Sequence, residues 1–154
     1  MDEPRWLNEA EDRAWRGYRR MRTLLDLQIT RDLARAGLSD SDYDVLSTLS
    51  EAAGNRWRVN EFAARLLWSK SRLSHHLSRM EQRGLVRRED CASDGRGAFV
   101  VLTDEGTRAL EAAAPEHVAS VREHFIDLLT EEQIDTLISI SQTVIDHFSP
   151  SGKE

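Results

Sequence analysis

The chain has 154 residues, of which 31% are charged and 40% hydrophobic, and its net charge is −6. This length suits one compact domain and is short for two. The single cysteine excludes an internal disulfide framework, and apolar runs of only a few residues exclude a membrane-spanning helix, so we expect a cytoplasmic protein with no membrane partner.

Apolar spacing predicts two helices in the first third of the chain. Over residues 9–36 apolar side chains recur every three or four residues, and Gly37 supplies the end of this first helix. Residues 39–42 form an N-cap cluster for a second helix, which we expect to end near Gly54. Both helices need an apolar surface to cover their stripes.

Two further helices follow in the middle of the chain. Residues 56–59 are too few for more than a brief strand, and Asn60 is placed to cap a short third helix. A turn at residues 68–69 leads into a fourth helix over residues 70–83, which Gly84 closes. A short helix, a tight turn and a second helix in succession are typical of a helix-turn-helix.

Two strands and two long helices complete the predicted order. Residues 85–90 and 98–103 have strand composition and are joined by a glycine-rich tip. Thr103 caps a helix predicted to reach about residue 129, with a kink or break at Pro115. The capping box at residues 130–133 starts a final helix to about residue 148, and residues 149–154 are expected to be a disordered tail. The result is a mainly α protein with a small β-wing.

The charge is distributed unevenly, and the basic part coincides with the helix-turn-helix. Residues 1–53 carry −3, residues 54–108 carry +4 and residues 109–154 carry −7. An electrostatic footprint belongs to a surface and not to a whole chain. The acidic total therefore does not exclude DNA as a partner.

The helix from residue 71 is amphipathic and has an acid-free polar face. Leu73, Leu77 and Met80 lie on one side, and polar side chains, His76 among them, cover the rest. Small hydroxyl side chains allow close approach to base edges, while Arg and His donate to guanine or phosphate. The alternative is a solvated face, which normally mixes Glu and Lys. The predicted DNA-binding residues of this helix are Ser71, Arg72, Ser74, His75 and Arg79.

The tip of the hairpin, residues 93–97, predicts a second DNA contact. Its two glycines permit a sharp turn, and Arg96 places a cation at the apex. An arginine at that position suits the negative potential of a narrow minor groove of DNA. Asp94 is expected to support the wing by pairing with an arginine. The alternative is a plain hairpin turn with a solvated arginine.

Several of these segments together resemble the MarR/SlyA family of winged helix-turn-helix transcription factors. The matching pieces are Leu73 to Leu77 with Met80 and Glu81, then Arg83-Gly84-Leu85-Val86, Asp94-x-Arg96 and Val101-Leu102-Thr103-x-x-Gly106. The resemblance implies a single domain over residues 1–154. Within it, residues 38–103 would form the winged helix-turn-helix DNA-binding lobe, and residues 5–36 and 104–148 would form dimerisation helices.

The resemblance also implies how the protein acts. It indicates a homodimer on double-stranded DNA, at a pseudo-palindromic operator, and most often a repressor that a small ligand releases. The helix with Ser74, His75 and Arg79 would read the major groove, and Arg96 would enter the minor groove. This chain has His75 and Gly95 where many members carry arginine. The resemblance therefore does not indicate its base preference or its affinity for DNA.

The terminal helices support a dimer independently. They are too long and too apolar to be covered by a lobe of this size, and a two-fold partner is the commonest solution. Packing within one chain is the alternative. The apolar residues that need a partner are Ile126, Leu129, Ile134, Leu137, Ile138, Ile140, Val144, Ile145 and Phe148.

Other residue types leave alternatives open. Trp15 and Tyr18 on the first helix are candidates for binding a small aromatic ligand, although aromatic packing is commoner. Cys91 suggests an oxidant-responsive regulator, and the five histidines a metal-responsive one, but no metal-binding spacing occurs and no cofactor is implied. The sequence contains no set of nucleophile, base and acid that would indicate an enzyme. A winged-helix protein-interaction module is the remaining alternative.

Overall fold

The computed structural model describes residues 3–90 and 97–149, and it confirms the mainly α fold with a small sheet. The 3-10 turns at Ala53–Asn55 and Ile126–Leu128 separate regular elements. In chain order the helices and strands are α1 Glu9–Arg35, α2 Asp40–Glu51, β1 Arg56–Arg58, α3 Val59–Leu66, α4 Lys70–Gln82, β2 Val86–Asp90, β3 Ala98–Leu102, α5 Asp104–His124 and α6 Glu131–Phe148.

The predicted helix ends are largely confirmed by their capping groups. The Ser39 hydroxyl accepts from the Asp42 backbone N–H at 3.0 Å at the start of α2, and Thr130 and Gln133 form the predicted capping box of α6. Gly37 and Gly84 follow α1 and α4 with φ of 75° and 77°, the left-handed conformation that glycine adopts without strain.

Three predicted boundaries are wrong. Helix α2 ends at Glu51, before Gly54. Helix α3 begins at Val59, so Asn60 lies inside it, and its N-cap Arg58 makes no side-chain capping bond. Helix α5 runs without interruption past Pro115 and ends at His124. Pro115 lies on the exposed side of α5, where water can satisfy the carbonyl that loses its donor.

The core lies in the lobe, where α2, α3 and α4 pack against the sheet. Strand β3 is central and pairs antiparallel with both β1 and β2. Full burial of one such aliphatic side chain contributes about 1.5–3 kcal/mol. The fully buried large side chains are Val45, Leu46, Leu49, Phe62, Leu73, Leu77, Met80, Val86 and Val100.

The long helices contribute little to this core. Helix α1 buries only Asp32 and Leu33, and α6 buries no residue at all. Asp32 is held against α5, where the Ser120 hydroxyl donates to it at 2.5 Å, and this bond, with a second from Gln28, lowers the pKa of the Asp32 carboxyl. The apolar stripes of α1 and α6 are therefore left open in the single chain.

Candidate nucleic-acid interface

Helices α3 and α4 form the predicted helix-turn-helix, joined by residues 67–69. Leu67 turns the chain in the left-handed region, with φ of 57°. The Ser69 hydroxyl then accepts from the Arg72 backbone N–H at 3.1 Å and caps α4. The first turn of α4 carries no acid. Its partial positive end therefore adds to the arginines beside it.

The predicted α4 residues Ser71, Arg72, Ser74, His75 and Arg79 are all exposed. They share one side of the helix, because Leu73, Leu77 and Met80 are fully buried on the other. The structure therefore presents these five residues together on one surface, which we call the α4 face.

Two arginines of the α4 face are held in place. The Arg72 guanidinium stacks on the Trp68 ring, with 4.0 Å between its central carbon and the ring centroid, and donates to the Ser41 hydroxyl at 3.3 Å. The Arg79 guanidinium donates to Nδ1 of His76 at 3.1 Å. Both arginines are thus preorganised, which reduces the conformational entropy lost on binding.

Arg88 of β2 joins the base of the wing to α4, a contact that no sequence pattern indicates. Its guanidinium donates to the Ser74 carbonyl at 2.6 Å and to the Ser78 hydroxyl at 3.2 Å. Its backbone N–H donates to the Glu81 carboxylate at 2.8 Å. Arg88 therefore fixes the angle between α4 and strand β2. Its guanidinium also contacts the Ser74 hydroxyl, at 3.4 Å.

Arg83 fixes the other end of α4. Its guanidinium donates to the Asp42 carboxylate and to the Gly37 carbonyl, both at 2.7 Å. Bonds from Ser39 and Arg83 to the carboxylate outweigh burial and lower the pKa of Asp42. Asp42 is thus a buried anion that ties α2 to the recognition helix.

The expectation that His76 belongs to the exposed polar face is wrong. His76 is only 7% exposed, and its Nε2 lies 3.0 Å from the Asp42 carboxylate. A sequence signal existed, because position 76 lies three residues after Leu73 and four before Met80, on the buried side of α4. The polarity of histidine concealed it.

A groove of about 530 Å³ lies between the N-terminus of α3 and the base of the wing. Arg58 and Arg88 line it together with Asn60 and Glu61. The Arg58 guanidinium, which lines the groove, also lies 4.9 Å from the centre of the Phe99 ring. The groove can accept a small anion, because two guanidinium groups and a helix N-terminus meet there.

Comparison with known proteins identifies the family to which this chain belongs. A family model described as MarR family matches residues 36–97. The crystal structure of AbsC, a MarR family transcriptional regulator from Streptomyces coelicolor, is 46% identical over 94% of this chain and 97% of its own, with a TM-score of 0.90. This chain belongs to the MarR family.

Two further relatives support the MarR assignment. Sco3205 from Streptomyces coelicolor, a MarR family transcriptional regulator solved in complex with DNA, is 43% identical over 97% of this chain and 95% of its own, with a TM-score of 0.92. The transcriptional regulator HosA from Escherichia coli O157:H7 is 41% identical over 78 residues. That match spans 51% of this chain and 57% of HosA.

The other predicted site residues stand apart from the α4 face. Trp15 and Tyr18 lie on α1 with their rings stacked at 5.9 Å, and they are 53% and 47% exposed. Asp94, Arg96 and Cys91 lie outside the described residues, so their predicted roles stay predictions. Residues 150–154 of the predicted tail lie outside them as well.

Two kinds of feature are absent from residues 3–90 and 97–149. In these ranges no helix is both long enough and apolar enough to cross a bilayer. The same ranges contain no cluster of three or more His, Cys, Asp or Glu side chains placed to hold a metal ion.

Proposed function

We propose that this MarR-family protein is a homodimeric transcriptional repressor that binds a pseudo-palindromic operator and is released by a small aromatic ligand. The observation that carries the DNA-binding part is the α4 face, where five polar side chains without an acid are exposed on a rigid helix. The DNA complex of Sco3205 supports it, because that protein is 43% identical over nearly the whole chain.

In the proposed complex α4 enters the major groove, where His75 and Arg79 donate to base edges and Ser71 and Ser74 allow close approach. Arg96 at the wing tip reaches the minor groove, and Asp94 supports the tip. These two wing roles rest on the family resemblance. Arg72, stacked on Trp68 near the N-terminus of α4, is placed for a phosphate.

We assign the groove beside the wing to a backbone phosphate. A duplex read by α4 in the major groove and by the wing in the minor groove passes one strand between them. Arg58 and Arg88 line the groove between the N-terminus of α3 and the base of the wing, and that N-terminus adds partial positive charge. A contact of this kind sets register and orientation but carries no sequence information.

The homodimer is supported by the open apolar stripes. On α6, Ile138, Val144, Ile145 and Phe148 are each more than half exposed. Contiguous apolar surface of this kind on a single chain marks an interface. A second copy related by two-fold symmetry covers this apolar surface and places two DNA-binding lobes on one palindromic operator. Trp15 and Tyr18 remain candidates for the ligand, because their stacked rings offer an aromatic platform.

DNA binding is tested by titrating the purified protein into labelled intergenic DNA from beside its own gene, with random DNA of equal length as control. His75→Ala is expected to reduce the ratio of operator to random affinity, and Arg96→Ala to weaken operator binding by about 1–3 kcal/mol. Adding phenolic ligands, metal ions or an oxidant to the same titration separates the release signals. Equal wild-type affinity for operator and random DNA would refute a sequence-specific regulator.

The phosphate assignment is tested through the salt dependence of binding. Log affinity falls linearly with log salt in proportion to the phosphates neutralised. Arg58→Ala is expected to reduce that slope by about one and to weaken operator and random DNA alike. Arg122→Ala, at the end of α5, is the matched control because it also removes one positive charge. An unchanged slope in Arg58→Ala would remove Arg58 from the interface.

A further inference from the structure

A line of polar side chains connects the interior of the lobe to the α4 face. Asp42 on α2 is 4% exposed, and His76 on α4 is 7% exposed. His76 Nε2 lies 3.0 Å from Asp42 Oδ1, and its Nδ1 lies 3.1 Å from the guanidinium of the exposed Arg79. One imidazole thus touches a buried anion with one nitrogen and a surface cation with the other.

The Arg79 contact determines the tautomer of His76. A guanidinium can only donate, so Nδ1 must accept and cannot carry a proton. The ring is therefore neutral, with its proton on Nε2 and directed toward the Asp42 side. The Asp42 oxygen lies off the line of this N–H bond, so their contact is bent and mainly electrostatic.

The surroundings prevent the His76 ring from adjusting. The Asp42 carboxylate is fixed by the Arg83 guanidinium at 2.7 Å and by the Ser39 backbone N–H at 2.9 Å. The Trp68 ring packs edge-on against the imidazole, with ring centroids 5.6 Å apart. Contacts from α2, from Arg83 at the end of α4 and from Trp68 in the turn therefore hold the His76 ring. The position of its Nδ1 in turn determines where Arg79 is held.

We propose that His76 is a positioning residue which holds Arg79 in its DNA-reading orientation and releases it when His76 becomes protonated. This inference rests on the proposed function, since it requires Arg79 to contact DNA. Protonation of Nδ1 removes the acceptor and places a positive charge beside the Arg79 guanidinium. The DNA-contacting arginine then loses the bond that preorganises it.

The charged groups facing His76 determine the direction of the response. Asp42 from α2 favours the protonated ring, whereas Arg79 and Arg72 from α4 oppose it, and the Trp68 side chain from the turn is uncharged. Burial is the largest influence and lowers the pKa of His76 below its ordinary value of 6.5. Release of Arg79 is therefore expected on acidification below pH 6.5 and not above it.

A double-mutant cycle tests whether His76 acts through Arg79. Operator affinity is measured by fluorescence anisotropy for wild type, His76→Leu, Arg79→Ala and the double variant. We expect Arg79→Ala to weaken binding by about 5- to 150-fold, the range for one base contact. We expect His76→Leu to weaken it less, and the double variant to match Arg79→Ala within about twofold. Additive losses would overturn the positioning role and leave DNA reading by Arg79 intact.

His76→Gln separates positioning from folding. Its amide offers a donor and an acceptor but does not titrate. Wild-type operator affinity is expected to fall as the pH is lowered stepwise from 7.5 to the lowest pH at which the protein stays folded, and His76→Gln to stay nearly constant, with thermal melts defining that limit for both proteins. A wild-type affinity that does not fall would overturn the proposal, and unchanged binding by Arg79→Ala would overturn it together with the proposed reading role of Arg79.

Discussion

The Arg88 guanidinium donates a 2.6 Å hydrogen bond to the backbone carbonyl of Ser74. This contact connects the second strand of the sheet to the middle of the recognition helix, 14 residues earlier in the chain. Because the same guanidinium also reaches the Ser78 hydroxyl, the wing and α4 are held as one rigid unit. The base of the wing therefore keeps a fixed position relative to α4.

Arg88→Ala is expected to destabilise the lobe and weaken DNA binding together. Hydrogen bonds that involve a charged group contribute about 1.5–3 kcal/mol each, and partial exposure of Arg88 reduces this, so we expect a total loss of about 1–3 kcal/mol in the free energy of unfolding. Urea unfolding measures it. Arg87→Ala is the matched control, because within residues 3–90 and 97–149 the Arg87 side chain pairs with Glu89 of its own strand, at 3.0 Å, and not with α4. Equal losses in both variants would contradict the clamp.

The sequence predicted the elements and the exposed polar face of α4 better than the contacts among the side chains. Periodicity places Leu73, Leu77 and Met80 inside, and this is a local property of one helix. The position of His76 on the buried side of α4 is also local, but its pairing with Asp42, which α2 brings to it from 34 positions earlier, is encoded by no local pattern. The break in α5 was expected at Pro115, but a proline on an exposed side removes only one bond that water can replace.

Gly106→Ala is expected to destabilise the protein. Gly106 lies in the first turn of α5, and an added Cβ would overlap the Leu85 carbonyl oxygen and lie 2.7 Å from the Leu102 side chain. Since the Leu85 backbone blocks one direction, relief requires moving α5 away from Leu85, and overpacking of this kind costs about 1–3 kcal/mol. Thermal unfolding measures the loss.

Gly17→Ala provides the contrast to Gly106→Ala. Gly17 lies inside α1, and an added Cβ meets nothing within 4 Å. Alanine favours the helix over glycine by up to about 1 kcal/mol, so the melting temperature should stay equal or rise. If Gly17→Ala destabilised the protein as much as Gly106→Ala, close packing around Gly106 would not be the cause.

The unfolding free energy is expected to fall on acidification in two separate pH windows. Burial lowers the pKa of His76 below 6.5, so the unfolded chain binds this proton first and stability declines as the pH falls below 6.5. Asp42 has a pKa lowered below 3.8, so its contribution is present above pH 3.8 and is lost below it. Urea titrations at several pH values measure both.

The first window is assigned to one residue by comparing wild type with His76→Gln. Their difference in unfolding free energy should change with pH between 7.5 and 5.5, because only the wild type can be protonated at this buried position. The other histidines contribute equally to both proteins and cancel. A difference that is independent of pH would show that His76 is not the group that titrates.

Ile145→Asp is expected to convert the proposed homodimer into monomers. Ile138 and Ile145 are 61% and 56% exposed and lie seven residues apart, two turns along the same side of α6. Burying each isoleucine in an interface contributes about 1.5–3 kcal/mol, and an aspartate at that position must also be desolvated. We expect the dissociation constant of the dimer to rise by about 100-fold or more, measured by sedimentation over a range of concentrations.

Ser139→Asp is the control for Ile145→Asp, because it adds the same charge on the polar side of α6 and should leave the dimer intact. Dissociation by both variants would point to charge repulsion and not to an apolar interface along this stripe.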